Sequence, residues 1–267
     1  MIETAKTRYS DHFHFYSGDM FVGNSIKHYG EYTQVEIDHM APYINSDSVI
    51  YDIGGNIGYH ATAFASMAKE VHSFEPNNKN FALLEMNLDK FDNAYLYNCA
   101  ASFQDGETFI SDYSLEEEGN YGKCEIVAEG QHCKTFKIDS LNMPPPDLIK
   151  IDVEGFELNV IVGAGNTIAT AKPVIFYESM HGTGFDTIYD FLTGLDYKIY
   201  WTHAYNFNEH NFNKNDVNIF ANSGVINCLA VPADKPQPDL PEMLDRADTS
   251  DAYVGRMVAA GKMKVRT

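Results

Sequence analysis

One turn constrains this chain more than any other feature. Val49-Ile50-Tyr51-Asp52-Ile53 is a short, largely apolar run, and Gly54-Gly55-Asn56-Ile57-Gly58 follows it directly. From residue 57 to 68 small and apolar side chains, many of them alanine, recur at helical spacing. A strand that passes through glycines straight into a helix is the handover of an open parallel α/β sheet. Ligands of such sheets bind outside the carboxyl ends of the strands. Glycine suits that place because a Cβ would block a ligand's approach to the backbone, and because a sharp turn demands positive φ. The helix start aims free N–H groups and its positive end into the same crevice.

The alternation continues along the chain. Residues 71–74 read as a strand, and 77–88 as a helix with Phe81, Leu84 and Leu88 on one face. Residues 94–100 read as a third strand. The stretch 106–139 lacks helical periodicity and is rich in Gly and β-formers, which predicts an antiparallel excursion. After Pro144-Pro145-Pro146, residues 147–153 form a buried strand, with a helix from about Phe156. A strand at 174–177, a helix at 185–192 and strands at 197–201 and 226–231 complete the pattern. Such a series predicts a mostly parallel sheet with right-handed crossovers.

Outside it, residues 1–45 carry four histidines and no clear rhythm until a short helix over 34–43, stopped near Pro42. Residues 232–241 hold four prolines, the composition of a semi-rigid linker. The expected organisation is an N-terminal helical/loop cap over 1–45, a ligand-binding α/β domain over 46–231 with its excursion, and a Pro-rich linker and polar tail over 232–267.

Charge narrows the partners. With 38 acidic against 19 basic side chains the formal net charge is −19, a field that repels a polyanion. The one short basic run is Lys262-Met263-Lys264-Val265-Arg266, so no nucleic-acid partner is expected. The four cysteines, Cys99, Cys124, Cys133 and Cys228, form no CxxC pair. Zinc is therefore not expected and free thiols are the default, with a Cys124–Cys133 bridge the one pairing left open. No apolar run approaches the roughly 18–20 residues of a membrane helix, and Met1-Ile2-Glu3-Thr4 opens no signal peptide. These features predict a cytoplasmic chain without a membrane partner. A homo-oligomer stays open, since the proline-rich tail is placed to reach a neighbour.

The glycine turn also discriminates between cofactors. A dinucleotide fingerprint, G-x-G-x-x-G, fails from Gly54, where Asn56 and Tyr59 stand in place of glycine, and fails from Gly55 at Ile57. The form present is D-x-G-x-N-x-G. An acid at the strand end repels a pyrophosphate and favours an ammonium group. S-adenosylmethionine carries an ammonium and a sulfonium and no phosphate, which favours a methyl donor over NAD. Glu75, in Ser73-Phe74-Glu75-Pro76, follows Gly58 by seventeen residues. A carboxylate there suits the two hydroxyls of an adenosine ribose, and Pro76 stops the strand.

With YDIGGNIGYHA, SFEP, KIDSL and DLIKIDVEGFE in this order and spacing, the chain resembles the FkbM family of S-adenosylmethionine-dependent methyltransferases over roughly residues 30–180. The last segment is the most specific. The resemblance implies a Rossmann-like class I methyltransferase fold. That fold is a seven-stranded sheet, parallel apart from one antiparallel strand, with helices on both faces. It also implies O-methylation of a hydroxyl on a sugar or other small molecule. Carried over, Asp52, Gly54, Gly55, Asn56 and Gly58 lie beneath the methionine part of the donor, and Glu75 with Pro76 stands at its ribose. Ala101, in Ala100-Ala101-Ser102, lies near the adenine. Many members have Ala where this chain has Gly55, a small-for-small change. Beyond His181 the match fades, so no acceptor pocket is implied.

Methyl transfer to an alcohol requires positioning of the acceptor oxygen and removal of its proton. Asp152 and Glu154 end the fourth strand, nearest the methyl in this fold class, and suit a base and its orienter. Asp152 also borders the donor. Mg²⁺ on these two acids is the less favoured route, because no third acid at a fixed offset completes a site. His181 is the candidate histidine base, with Glu178 to orient it and His203 as a rival. Tyr29 and Tyr59 are placed to line a pocket. Two other readings remain: an NAD-dependent oxidoreductase, against which the failed fingerprint counts, and a non-catalytic nucleotide-binding protein of the same fold. RNA or DNA N-methylation would call for an Asn/Asp-Pro-Pro-aromatic turn where this chain has Asp152-Val153-Glu154-Gly155.

Overall fold

A computed structural model describes residues 1–178 and 184–263. Its N-terminal segment pairs strands β1 (Ile2–Ala5) and β2 (Phe13–Tyr16) antiparallel, followed by helices α1 (Val22–Tyr29) and α2 (Gln34–Met40). The alternating region then runs β3 (Val49–Ile53), α3 (Tyr59–Ala65), β4 (Glu70–Phe74), α4 (Asn78–Leu88) and β5 (Ala94–Tyr97). A four-stranded excursion follows, built of β6 (Ala100–Ala101), β7 (Gly106–Ile110), β8 (Ile126–Val127) and β9 (Gln131–Phe136) in the order β6-β9-β7-β8. The chain returns through β10 (Leu148–Ile151), α5 (Glu157–Gly163), α6 (Gly165–Ala171), β11 (Val174–Glu178), α7 (Phe185–Gly194), β12 (Tyr197–Tyr205) and β13 (Gly224–Pro232). Helix α8 (Ser250–Ala259) lies near the end.

Seven strands make the central sheet, in the order β12-β13-β11-β10-β3-β4-β5. β5, β4, β3, β10 and β11 run parallel, and β13 is antiparallel to both neighbours, β11 and β12. This is the Rossmann-like class I arrangement. Every residue of β3 and β10 is buried, as a parallel strand covered on both faces must be. Strand alternation divides their side chains between two cores. Tyr51, Ile53, Ile149 and Ile151 pack toward α5 and α7. Ile50 and Leu148 pack with Met40, Phe64 and Leu84 on the other face.

The structure departs from the sequence reading in three places. The cap contains a hairpin and an additional helix, α1, because Phe13, Phe15, Val22 and Ile26 bury themselves on α3 and α4. The expected strand over 94–100 is broken, so that Ala100 and Ala101 leave the central sheet and pair with β9. The residues read as linker and tail instead pack on the outer edge of β12. Trp201 N–H donates to the Pro241 carbonyl at 2.8 Å and Met243 N–H to that of Ile199 at 2.8 Å. Tyr253, buried, stacks on Trp201 with ring centroids 5.4 Å apart. Proline content alone suggests a spacer, but Met243 and Tyr253 are apolar anchors that cover an otherwise open sheet edge. All four cysteines are free thiols.

Candidate active site

The loop after β3 is clipped to the end of β4. Gly54 and Gly55 N–H both donate to the Phe74 carbonyl at 2.9 Å. Asn56 N–H donates to Glu75 Oε2 at 2.8 Å, and Asn77 N–H to Glu75 Oε1 at 2.8 Å. Gly54 and Gly58 adopt φ of +84° and +90°, in the left-handed region that favours glycine. At Gly54 the space is claimed by the protein itself, since a Cβ would lie 1.8 Å from the Asp152 carbonyl oxygen. The glycine therefore lets the ends of β3 and β10 approach. Gly58 begins α3 against Leu84.

Period-two alternation then decides which acids reach the crevice. Ser73, Asp52 and Lys150 are partners in register across β4, β3 and β10, so their side chains form one row on a covered sheet face. Ser73 Oγ donates to Asp52 Oδ2 at 2.9 Å, and Lys150 Nζ stands 3.3 Å from Asp52 Oδ1. Asp52 is fully buried and does not line the cavity. The sequence reading set it beneath the donor; it lies instead behind the loop, as the counterion of Lys150. That lysine also donates to the Gly54 carbonyl at 2.8 Å and lies 3.4 Å from Asp152 Oδ2. Burial opposes its charge, but Asp52 and then Asp152 hold its ammonium well above the ordinary lysine range.

One row further along, the strand ends open onto a cavity of about 330 Å³, within the usual size of a small-molecule site. Gly54, Gly55, Asn56, Glu75 and Pro76 line one side, and Ala100 and Ala101 continue it. Burial pushes the Glu75 carboxyl up to about 7, against the pull of the two N–H groups it accepts. Asp152, Glu154 and Glu178 line the other side. After Asp152 the chain turns through two left-handed residues, Glu154 at φ +52° and Gly155 at +88°. Glu157 Oε1 fastens the turn by accepting from Val153 N–H at 3.3 Å and Gly155 N–H at 3.1 Å. Burial first, and Asp152 second, raise Glu154 to about 7 and Glu178 to about 8. Carboxyls poised near neutrality suit general acid–base work.

The cap, α3 and β13 together close this end. Glu36 of α2 accepts from Asn227 Nδ2 at 2.8 Å through Oε1, and its Oε2 lies 3.3 Å from His60 Nε2. All three line the cavity. His60, just past Gly58, was within reach of motif reading; Glu36 and Asn227 were not, since only folding brings residues 191 apart together. Tyr59 lines the cavity. Tyr29 does not: it is packed under the loop before β13, donating to the Val217 carbonyl at 2.9 Å. His203 lines a separate depression beside Tyr205 and Phe207. His181 lies outside the described residues. Among the described residues no group of three or more His, Cys, Asp or Glu is placed to hold a metal ion, and no helix is long and apolar enough to cross a membrane.

Comparison with known proteins bears on this geometry. Residues 52–199 match the model of the methyltransferase FkbM domain. A curated relative, the hexuronic acid methyltransferase AglP of Haloferax volcanii, is 31% identical over 135 residues, which is 48% of this chain and 55% of that protein. The chain thus spans about half the length of the curated relative it matches. Among solved structures, the methyltransferase FkbM of Methylobacillus flagellatus KT is 18% identical, with a TM-score of 0.47 over 69% of this chain and 43% of that one. The precorrin-6y C5,15-methyltransferase of Geobacter metallireducens GS-15 is 16% identical, with a TM-score of 0.44 over 74% of this chain and 86% of that one.

Proposed function

Because the chain belongs to the methyltransferase FkbM family, we propose that it transfers a methyl group from S-adenosylmethionine to a hydroxyl of a sugar or other small molecule. Membership implies the donor. The acceptor class draws support from the relative named as a hexuronic acid methyltransferase. The observation that carries the reading is the convergence of the Gly54–Asn56 loop, Glu75 and a row of strand-end carboxylates on one cavity.

The residues fit the donor. Asn56 Oδ1 is buried in the cavity wall without a hydrogen-bond partner among the described residues, as a group that a ligand completes. Each Glu75 oxygen accepts one N–H and keeps a lone pair for a ribose hydroxyl. Gly54, Gly55 and Asn56 border the methionine part, and Pro76 and Ala101 the nucleoside. Bound there, S-adenosylmethionine supplies an electrophilic methyl on a sulfonium.

The chain's own task is to orient the acceptor and take its proton. Asp152 is held by Lys150 and half exposed to the cavity, so it orients the acceptor hydroxyl. Glu154, with its carboxyl near 7, takes the proton. Glu178 stands by as a second proton site. Calorimetric titration with S-adenosylmethionine tests the donor reading: a folded protein giving no saturable binding would defeat it. Asp152→Ala and Glu154→Gln should each lower kcat at least a hundredfold, about 3 kcal/mol of barrier, with the melting temperature maintained. Full turnover in both variants would remove these carboxylates from the mechanism.

A further inference from the structure

At the acceptor end the cavity wall holds an acceptor group whose orientation is fixed. Asn227 is only 7% exposed. Its Nδ2 donates to Glu36 Oε1 at 2.8 Å. Turning the amide over would set its carbonyl oxygen against a carboxylate oxygen, so Oδ1 must point away from Glu36. Among the described residues that Oδ1 has no hydrogen-bond partner. Glu178 is the register partner of Asn227 across β11 and β13, and its Oε2 is likewise buried and, among the described residues, without a partner. Two neighbouring wall residues thus hold buried polar oxygens without partners among the described residues, and that of Asn227 is fixed as an acceptor. Buried acceptors left unpaired are costly, and a ligand that brings donors relieves that cost.

The charge at this end agrees. Glu36, Asp152, Glu154 and Glu178 line it together. Lys150 is the one lysine or arginine among the described residues lining the cavity, and its ammonium already contacts Asp52, Asp152 and the Gly54 carbonyl. A ligand carboxylate here would share its wall with four carboxyl groups and, among the described residues, find no unengaged lysine or arginine.

Resting on the proposed methyl transfer, we infer that the acceptor of this enzyme is a hydroxylated molecule without a carboxylate that presents N–H or O–H donors to Asn227 Oδ1 and Glu178. A uronic acid, the acceptor class named for the Haloferax volcanii relative, is disfavoured by this wall. An amino sugar gains both from the donors and from the acidic field, and a neutral sugar from the donors alone.

The test uses the full-length protein saturated with S-adenosylhomocysteine and three probes of one ring type: glucosamine, methyl glucoside and glucuronic acid. Binding is followed by calorimetry and saturation-transfer NMR at one ionic strength. Glucosamine should bind tightest, methyl glucoside next, and glucuronic acid at least about tenfold more weakly than the neutral sugar. Asn227→Leu should weaken methyl glucoside by about tenfold, whereas Asn227→Asp, which keeps an acceptor oxygen and adds charge, should widen the gap between glucosamine and glucuronic acid. If the variants do not fold, the ranking in the unaltered protein still decides. Glucuronic acid binding as tightly as methyl glucoside overturns the inference, as does failure of all three probes while S-adenosylhomocysteine binds. Failure to bind S-adenosylhomocysteine instead overturns the donor reading beneath it.

Discussion

Replacing Lys150 by methionine removes an ammonium and little else, because the unbranched stem keeps most of its volume. Lys150 is 2% exposed and Asp52 is fully buried. Nζ donates to the Gly54 carbonyl at 2.8 Å and stands 3.3 Å from Asp52 Oδ1 and 3.4 Å from Asp152 Oδ2. Asp152 is half exposed and can turn to water, but Asp52 would retain Ser73 as its one hydrogen-bond donor. Breaking a buried pair by removing one partner costs about 3–5 kcal/mol, and we expect Lys150→Met to fall there. Adding Asp52→Asn removes the stranded charge, so the double variant should recover to within about 1–2 kcal/mol of the parent. Urea denaturation followed by fluorescence and circular dichroism measures all four corners of the cycle, with the m-value as a check that the same surface unfolds. A Lys150→Met cost below about 1 kcal/mol, or a double variant no better than the single, would refute the buried-pair argument. It would favour the sequence reading, in which Asp52 faces a ligand.

The docked C-terminal segment makes a second prediction. Tyr253→Ala should cost about 3–5 kcal/mol, the range for truncating a buried aromatic, and should red-shift the emission of the sole tryptophan, Trp201; an unchanged melting temperature would mean that the segment does not pack there. Stability should also fall as pH rises from 7 to 8.5. Glu75 and Glu154 are raised to about 7 and Glu178 to about 8 from an ordinary value of 4.5, so the folded state favours their protonated forms. Their contribution is complete below the unfolded value and is lost as pH passes the folded values. His39, His72 and His203 are lowered by burial, so only the partly protonated unfolded chain near pH 7 opposes this slope, and weakly. Differential scanning fluorimetry across the window checks the sign, and a rising melting temperature would contradict it.

Local signals carried the strand–turn–helix handover, the strand-end acids and the parallel order. A buried parallel strand must be apolar throughout, and a tight turn must be glycine, wherever the rest of the chain goes. That is why the 49–58 segment and Glu75 were legible and converge as expected on one loop. The place of Asp52 off the cavity was not legible, because a motif gives spacing along the chain but not the register that sets Ser73, Asp52 and Lys150 in one covered row.

The sequence by itself determined a class I sheet, the position of its crevice and the glycine loop and Glu75 that border it, since each follows from residues within a few positions of one another. Tertiary structure alone decided how the far side of the cavity is assembled. Glu36, His60 and Asn227 come from the cap, the first crossover helix and the one antiparallel strand, and their meeting depends on how the cap folds over the sheet edge. The same holds for residues after Pro232, where two apolar anchors outweigh a linker's composition once β12 offers an edge to cover. Spacing encodes what the backbone must do locally; which side chains share a cavity is decided by packing between distant segments.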